Sequence, residues 1–396
     1  MTNDIDDKEL EDWFSEEEDE VDLDSSDRDD DPATKYARSQ LRVVRESKDY
    51  QLDYLRHVLS AERQLIDTSP AYQRRLRWSR KKRSLLIESF LLNIPVPPVF
   101  LYEHDYNEYE VIDGRQRLEA IKEYLANNFV LTGLEFWPEL NGKRFNSLPT
   151  VLQKGLLRRS LSAIVLLAET RDAEKDDLDV RRVLFDRLNT GGTKLNPQEL
   201  RNALYPGPLN ALLINLARDD AFTSAWGIPA KTPNEVQEPP DSLINNTLYR
   251  SLADAELVLR FFAIKDAIVN ERSGSLRRLL DRFMENHSHA GDGELQEMEA
   301  DFKFCIHKLY KAFDGAPFRL PTTGRPSRPL YDALMVALSL NDDLKINSES
   351  KDLREIVNNN LEDEEKYEVL VGRGNTIESI KSRVALAEKM LREAAE

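Results

Sequence analysis

The sequence predicts an α+β protein: a small mixed sheet with helices, followed by a mostly helical region. Three observations carry this. The short apolar runs at 99–102 (VFLY) and 109–112 (YEVI) flank the polar connector HDYNE, as the arms of a hairpin do. A third run, 161–168, has the length and composition of a buried strand. From about Asn210 onward apolar residues recur at helical spacing, broken by two polar, proline-rich stretches at 229–240 and 317–329.

At the N-terminal end, residues 1–31 hold 17 acidic side chains against Lys8 and Arg28, a net of −15, and the other 365 residues hold 55 acids and 53 bases. The formal charge of −17 therefore belongs to a tail, residues 1–34, which is too polar to offset chain entropy and is expected to be disordered. A polar helical stretch is expected at 35–59 and a short extended piece at 63–68. Apolar Leu85, Leu86, Phe90 and Leu91 give an amphipathic helix over 79–93, ended by Pro95, Pro97 and Pro98. After the hairpin, Asp113-Gly114 breaks the second strand, and Leu118, Ile121, Tyr124 and Leu125 mark a helix. Residues 179–189 read as a helix stopped by Gly191-Gly192. Asn196-Pro197-Gln198-Glu199 restarts one, with Asn as N-cap, Pro at the first position and Glu at the third. The expected organisation is a tail (1–34), a sheet domain (35–205) and a helical region (206–396).

Composition narrows the function classes. Cys305 is the only cysteine, which leaves no disulfide framework and no thiolate zinc site and fits a reducing, cytoplasmic setting. The N-terminus begins with acids and lacks the apolar core of a signal peptide. No apolar run approaches bilayer length, so no membrane partner is expected. His287 and His289 sit in a polar stretch with no carboxylate or cysteine at ligand spacing, and are expected in a solvated loop.

Three constellations could carry chemistry. In Val111-Ile112-Asp113-Gly114-Arg115-Gln116-Arg117-Leu118 a strand runs through Asp-Gly straight into a helix. Gly114 lets the backbone turn and approach a ligand, and helix-start N–H groups favour an anion such as phosphate. Arg115 and Arg117 add positive charge and bidentate donors, and Asp113 could hold Mg²⁺ or orient a water. The competing reading is a plain helix cap with solvated arginines. No GxxxxGK[ST] loop occurs. The second constellation gathers Arg187, Asn189, Arg201 and Asn202 around the Gly191-Gly192 turn, where a glycine stop and a capped helix are the structural alternative. The third is the run YQRRLRWSRKKR, with seven Lys/Arg in twelve positions at 72–83. Its Arg75, Arg77, Arg80, Lys81, Lys82 and Arg83 suit a nucleic-acid backbone, a solvated helix face, or the acidic tail, which could shield them by mimicking a polyanion.

Together these blocks resemble the ParB/sulfiredoxin-like domain at the N-terminus of GmrSD-type restriction enzymes. That family carries a D-G-Q-Q-R box after a strand, an upstream Y-Q-R…W segment leading to N-I-P-I-P, and a downstream F-x-R-L-N-T-G-G-T-x-L-x-x-Q-E-L-R-N-A. Here stand Tyr72-Gln73-Arg74…Trp78, Asn93-Ile94-Pro95-Val96-Pro97, Asp113-Gly114-Arg115-Gln116-Arg117, and the block from Phe185 to Ala203, all in order. The likeness spans about residues 40–220. It implies a nucleotide-binding, NTP-hydrolysing module with Mg²⁺, acting against foreign DNA with a nuclease domain or partner. Carried over, the catalytic candidates are Asp113, Gln116 and Arg117. The nucleotide-binding candidates are Gln73, Arg74, Gly114, Arg115, Arg187, Asn189 and Arg201. Two departures matter. Arg115 replaces the family's first Gln, which either strengthens phosphate binding or marks a site that binds without hydrolysis. The family's HNH nuclease motif, H-x-x-P, is absent after residue 220, where only His287, His289 and His307 occur. DNA cutting by that route is therefore not expected, and a nuclease would be a separate partner. A non-catalytic adaptor or switch and a direct metal-dependent nuclease remain the alternatives.

Overall fold

The computed structural model describes residues 5, 7–18, 45–60, 65–67, 78–166, 196–233, 235, 239–341, 352–372, 374 and 376–395. The chain divides into two compact units. One comprises Met1–Ser25 with Asn196–Glu396, and the other Ser26–Leu195. The first helix, α1 (Asp7–Glu18), belongs to the helical unit. This corrects the expectation of a disordered tail for these residues: Leu10, Trp13 and Phe14 lie at i, i+3 and i+4 and are buried. Three apolar anchors on one face supply burial that the charge count conceals.

The sheet unit is built from β1 (Arg45–Gln51), α2 (Leu52–Val58), β2 (Ile66–Asp67), α3 (Arg80–Leu92), β3 (Val99–Asp105), β4 (Glu108–Asp113), α4 (Arg115–Leu125), α5 (Thr150–Leu157) and β5 (Ser160–Leu166). The strand order is β1-β5-β3-β4-β2. β1 and β5 pair antiparallel, β5 and β3 parallel, β3 and β4 antiparallel, and β4 and β2 parallel, so the sheet is mixed as predicted. The hairpin, α3, α4 and β5 fall where the sequence places them. β1 does not: the sequence predicts helix over residues 45–51. The strand RESKDYQ is mostly exposed on the sheet edge, so it lacks the apolar alternation that would announce it.

Alternate strand residues face one core. Val99 and Leu101, Tyr109 and Val111, and Leu161, Ala163 and Val165 pack with Leu52 and Leu55 of α2, Ile87 and Phe90 of α3, Leu118 and Ile121 of α4, and Leu156 of α5. Each fully buried aliphatic side chain contributes about 1.5–3 kcal/mol, enough to fix the register of strands and helices together. Two polar residues on α3 steer the loop beyond α4. The Ser84 hydroxyl accepts from the Thr132 N–H at 3.0 Å. The buried Glu88 carboxylate accepts from the N–H groups of Glu135, Phe136 and Trp137 at 3.1, 2.9 and 3.0 Å.

The helical unit continues from α1 with α6 (Pro197–Leu204), α7 (Pro208–Leu216), α8 (Asp220–Trp226), α9 (Asp241–Ile244), α10 (Thr247–Arg250), α11 (Ala253–Val269), α12 (Leu276–His287), α13 (Asp292–Ala312), α14 (Arg328–Leu340), α15 (Leu353–Glu362), α16 (Glu364–Val371) and α17 (Ile377–Ala395). The two expected proline-rich breaks separate α8 from α9 and α13 from α14. The predicted capping box opens α6: Asn196 Oδ1 accepts from the Glu199 N–H, and Glu199 Oε2 accepts from the Asn196 N–H, both at 2.9 Å. α11 and α14 are buried almost all round, as helices at the centre of a bundle must be. Arg260 of α11 is held by Asp332 of α14, and elsewhere in the unit Arg218 grips Glu235 bidentately at 2.8 and 2.9 Å. α6 belongs to this unit, so the division falls at residue 195 instead of 205.

Candidate functional site

The site grows out of β4. Its pairing with β3 is irregular at its end: Leu101 faces Val111 but Phe100 faces Asp113, so Ile112 is an extra residue in β4. A bulge of this kind bends the strand and re-aims the residues beyond it. Gly114 then takes φ +93°, the left-handed region, and serves as N-cap of α4 without a side-chain cap bond. A β-carbon there would lie 2.4 Å from Val99 Cγ1 and 2.9 Å from Val99 Cβ. Both the turn and the close approach of β3 therefore demand glycine.

The arginine at the end of the box folds back on it. Arg117 Nη2 donates to Asp113 Oδ2 at 2.5 Å, and Arg117 Nη1 donates to the Pro97 carbonyl at 3.1 Å. The Asp113 side chain is 30% exposed and the Arg117 side chain 13%. One guanidinium thus joins the Asp-Gly turn to the Asn93–Pro97 segment. That segment is itself held where Arg159 Nη1 donates to Asn93 Oδ1 at 2.7 Å. Asn93 closes α3 in the left-handed conformation.

Gln116 makes the second link. Its Oε1 accepts from the backbone N–H of Trp78 at 2.9 Å. Trp78 leads directly into α3, whose N-cap, Ser79, accepts from the Lys82 N–H at 3.3 Å. The starts of α3 and α4 are therefore neighbours. Both begin with cations and neither has an acid in its first turn: Arg80, Lys81 and Lys82 on α3, Arg115 and Arg117 on α4. A helix N-terminus is already positive, so each such cation costs about 0.3–1 kcal/mol unless an anion offsets it.

The basic run is not one uniform face. Arg80, Lys81 and Lys82 are exposed, while Arg83 is half-buried. The Lys82 ammonium lies 4.7 Å from the Trp78 ring centroid, and the Arg83 guanidinium 5.0 Å from that of Phe129. The aliphatic stem of Lys81 lies against Gly133.

Of the remaining candidates, Gln73, Arg74, Arg75, Arg77, Arg187 and Asn189 lie outside the described residues. Arg201 is corrected. It lies on α6 in the helical unit, 1% exposed, with Nε donating to Asp281 Oδ1 at 2.7 Å and Nη1 3.6 Å from Glu256 Oε2. Its guanidinium is committed to protein carboxylates, far along the chain and invisible to motif spacing. His287 is corrected as well: it ends α12, stacks on Phe283 at 4.3 Å and meets Glu294 through Nδ1 at 2.5 Å. Among the described residues no group of three or more His, Cys, Asp or Glu side chains could hold a metal ion. Among them too, no helix is long and apolar enough to cross a membrane. The sequence reading missed the Pro97 carbonyl, the Trp78 N–H and Glu88. Of these only Glu88 left a signal, as an acid four residues from Ser84 on a face otherwise apolar.

The fold and this corner define a mixed-sheet α+β domain with a strand–Asp-Gly–helix turn braced by arginine. Residues 55–206 match the family model of the GmrSD restriction endonuclease, N-terminal domain. No curated protein and no solved structure matches the chain.

Proposed function

We propose that the meeting point of α3 and α4 is a nucleotide site, and that the protein binds and, with Mg²⁺, hydrolyses an NTP. We place that activity in a restriction-type defence system, the setting the family name supplies, with a separate nuclease partner acting on DNA. The observation that supports this is the pair of cation-bearing helix starts joined by the bond from Trp78 to Gln116. Two positive helix ends with Arg115 and Arg117 offer a polyphosphate both backbone and guanidinium donors. Gly114 lets that backbone come close. Asp113 would be the carboxylate that holds Mg²⁺. A single carboxylate fits that ion, which usually keeps waters and takes its remaining ligands from phosphates. Bound Mg²⁺ would supply charge neutralisation at the phosphates. Gln73, Arg74, Arg187 and Asn189 are proposed to complete the site. The exposed Arg80, Lys81 and Lys82 would face a nucleic-acid backbone, and such contact should weaken steeply with salt.

A second reading, binding without turnover, draws support from the same geometry. Asp113 already carries Arg117, and the Gln116 oxygen already carries Trp78. A switch that trades these bonds for a ligand would need no hydrolysis. Titration of the purified chain with ATP, GTP, CTP and UTP, with and without Mg²⁺, separates the readings. Saturable binding is expected, weakened roughly tenfold to a hundredfold by Arg117→Ala, the loss of a charge-assisted contact. Phosphate release that disappears in Asp113→Ala supports hydrolysis, and tight binding without release selects the switch. Wild-type protein that binds none of the four refutes the nucleotide site.

A further inference from the structure

We propose that the helical unit carries a docking groove for a short acidic, aromatic helix, and that α1 is its resident and exchangeable occupant. This inference does not rest on the nucleotide reading. α1 joins the helical unit as a separate helix. It is held by one face. Leu10, Trp13 and Phe14 are buried on that face, with Ile5 just before the helix. Anchors at i, i+3 and i+4 are the signature of a helix laid into a groove.

The groove supplies matching chemistry. The Trp13 ring meets Trp226 of α8 edge-on, with centroids 6.1 Å apart. The buried Arg328, at the start of α14, stacks its guanidinium over Trp13 at 5.0 Å and donates from Nη1 to the Trp13 carbonyl at 3.1 Å. Arg325 reaches Glu9 at 3.4 Å. Two arginines therefore face a segment, DKELEDWFSEEE, whose net charge is −6. Apolar anchors set the depth of binding, and the charges select against basic helices. The partner this surface fits is a protein presenting an acidic helix with a leucine three residues before a Trp-Phe pair. Such a helix would compete with α1, and α1 would keep the groove closed until displaced.

A fluorescent peptide of residues 5–20, titrated into the full-length chain, tests this. The wild type should bind it weakly, because the tethered helix acts at an effective concentration of order millimolar. Full-length Trp13→Ala/Phe14→Ala, with its groove vacated, should bind at least about tenfold tighter, and a peptide carrying Trp13→Ala should bind neither protein. Equal affinity for the two proteins, or a peptide indifferent to its tryptophan, overturns the proposal. Amide exchange on the wild type covers the case in which the double variant fails to fold. Excess unlabelled peptide should speed exchange in α1 several-fold and leave α14 unchanged. Exchange in α1 that excess peptide does not move overturns the proposal equally.

Discussion

Replacing Gly114 by alanine is expected to loosen the β3–β4 hairpin by about 2–5 kcal/mol, and the structure divides that cost in two. Holding a β-carbon at φ +93° costs about 1–2 kcal/mol. The new methyl would also stand 2.4 Å from Val99 Cγ1, and Val99 is buried at the start of β3. Overpacking of this kind costs about 1–3 kcal/mol. Amide exchange read over peptides spanning 99–113 is the assay, since it reports local opening without requiring the two units to unfold together. Exchange should accelerate at least about thirtyfold, the equivalent of some 2 kcal/mol. In a Val99→Ala background the Cγ1 clash is gone and the Cβ contact at 2.9 Å remains. There the same substitution should cost about 1–2 kcal/mol less. An identical cost in both backgrounds, or an acceleration under about threefold, would refute the claim that β3 imposes glycine on the turn.

The same geometry carries further expectations. Glu88→Ala strands three backbone N–H groups and should cost about 3–5 kcal/mol, with Glu88→Gln losing less because one acceptor oxygen survives; a denaturant series read by circular dichroism measures both. Arg260→Met leaves Asp332 buried and unpaired and should destabilise by about 3–5 kcal/mol, whereas Arg260→Met/Asp332→Leu should recover most of the loss by calorimetry. Burial pushes the Glu199 carboxyl up to about 7, opposed by the bond it accepts from the Asn196 N–H. A raised acid favours the folded state when protonated, so its stabilisation is complete below about pH 4.5 and is lost as pH rises through 7. The change is on the order of 3 kcal/mol. Melting curves of wild type and Glu199→Gln between about pH 4 and 8 should converge at low pH and diverge above it, and parallel curves would count against this assignment.

Much of the fold was legible because its signals are local. The hairpin is announced by apolar runs either side of HDYNE, α3 by its spacing and its proline stop, and α6 by a reciprocal cap visible as Asn196 and Glu199. The Asp-Gly turn was legible for the same reason, since Gly114 answers a demand of its own backbone. The features that escaped notice depend on distant partners. Arg201 sits beside a turn in sequence, yet its fate is set by Glu256 and Asp281, carried on α11 and α12. The role of Arg117 needed the Pro97 carbonyl, and that of Gln116 needed a backbone N–H at Trp78, neither of which leaves any mark on side-chain pattern. α1 was hidden by its own charges, because a net-charge argument averages over the three residues that do the anchoring.

The edge strand β1 that sequence periodicity failed to mark has a use for the composition that hid it. An open sheet edge offers its unpaired N–H and C=O groups to any passing strand, including the same edge of another copy. Arg45, Glu46, Lys48 and Asp49 line that edge with charges of both signs, and the Lys48 ammonium is drawn back to Glu46 at 3.1 Å and over the sheet to the Tyr109 hydroxyl at 3.3 Å. At the opposite side, the described part of β2 is two residues long. Charges of both signs along β1 disfavour strand addition at that edge, so concentrated protein should resist growing through it. Exchanging the β1 charges for threonine or valine would sharpen the strand signal and, by the same act, invite aggregation.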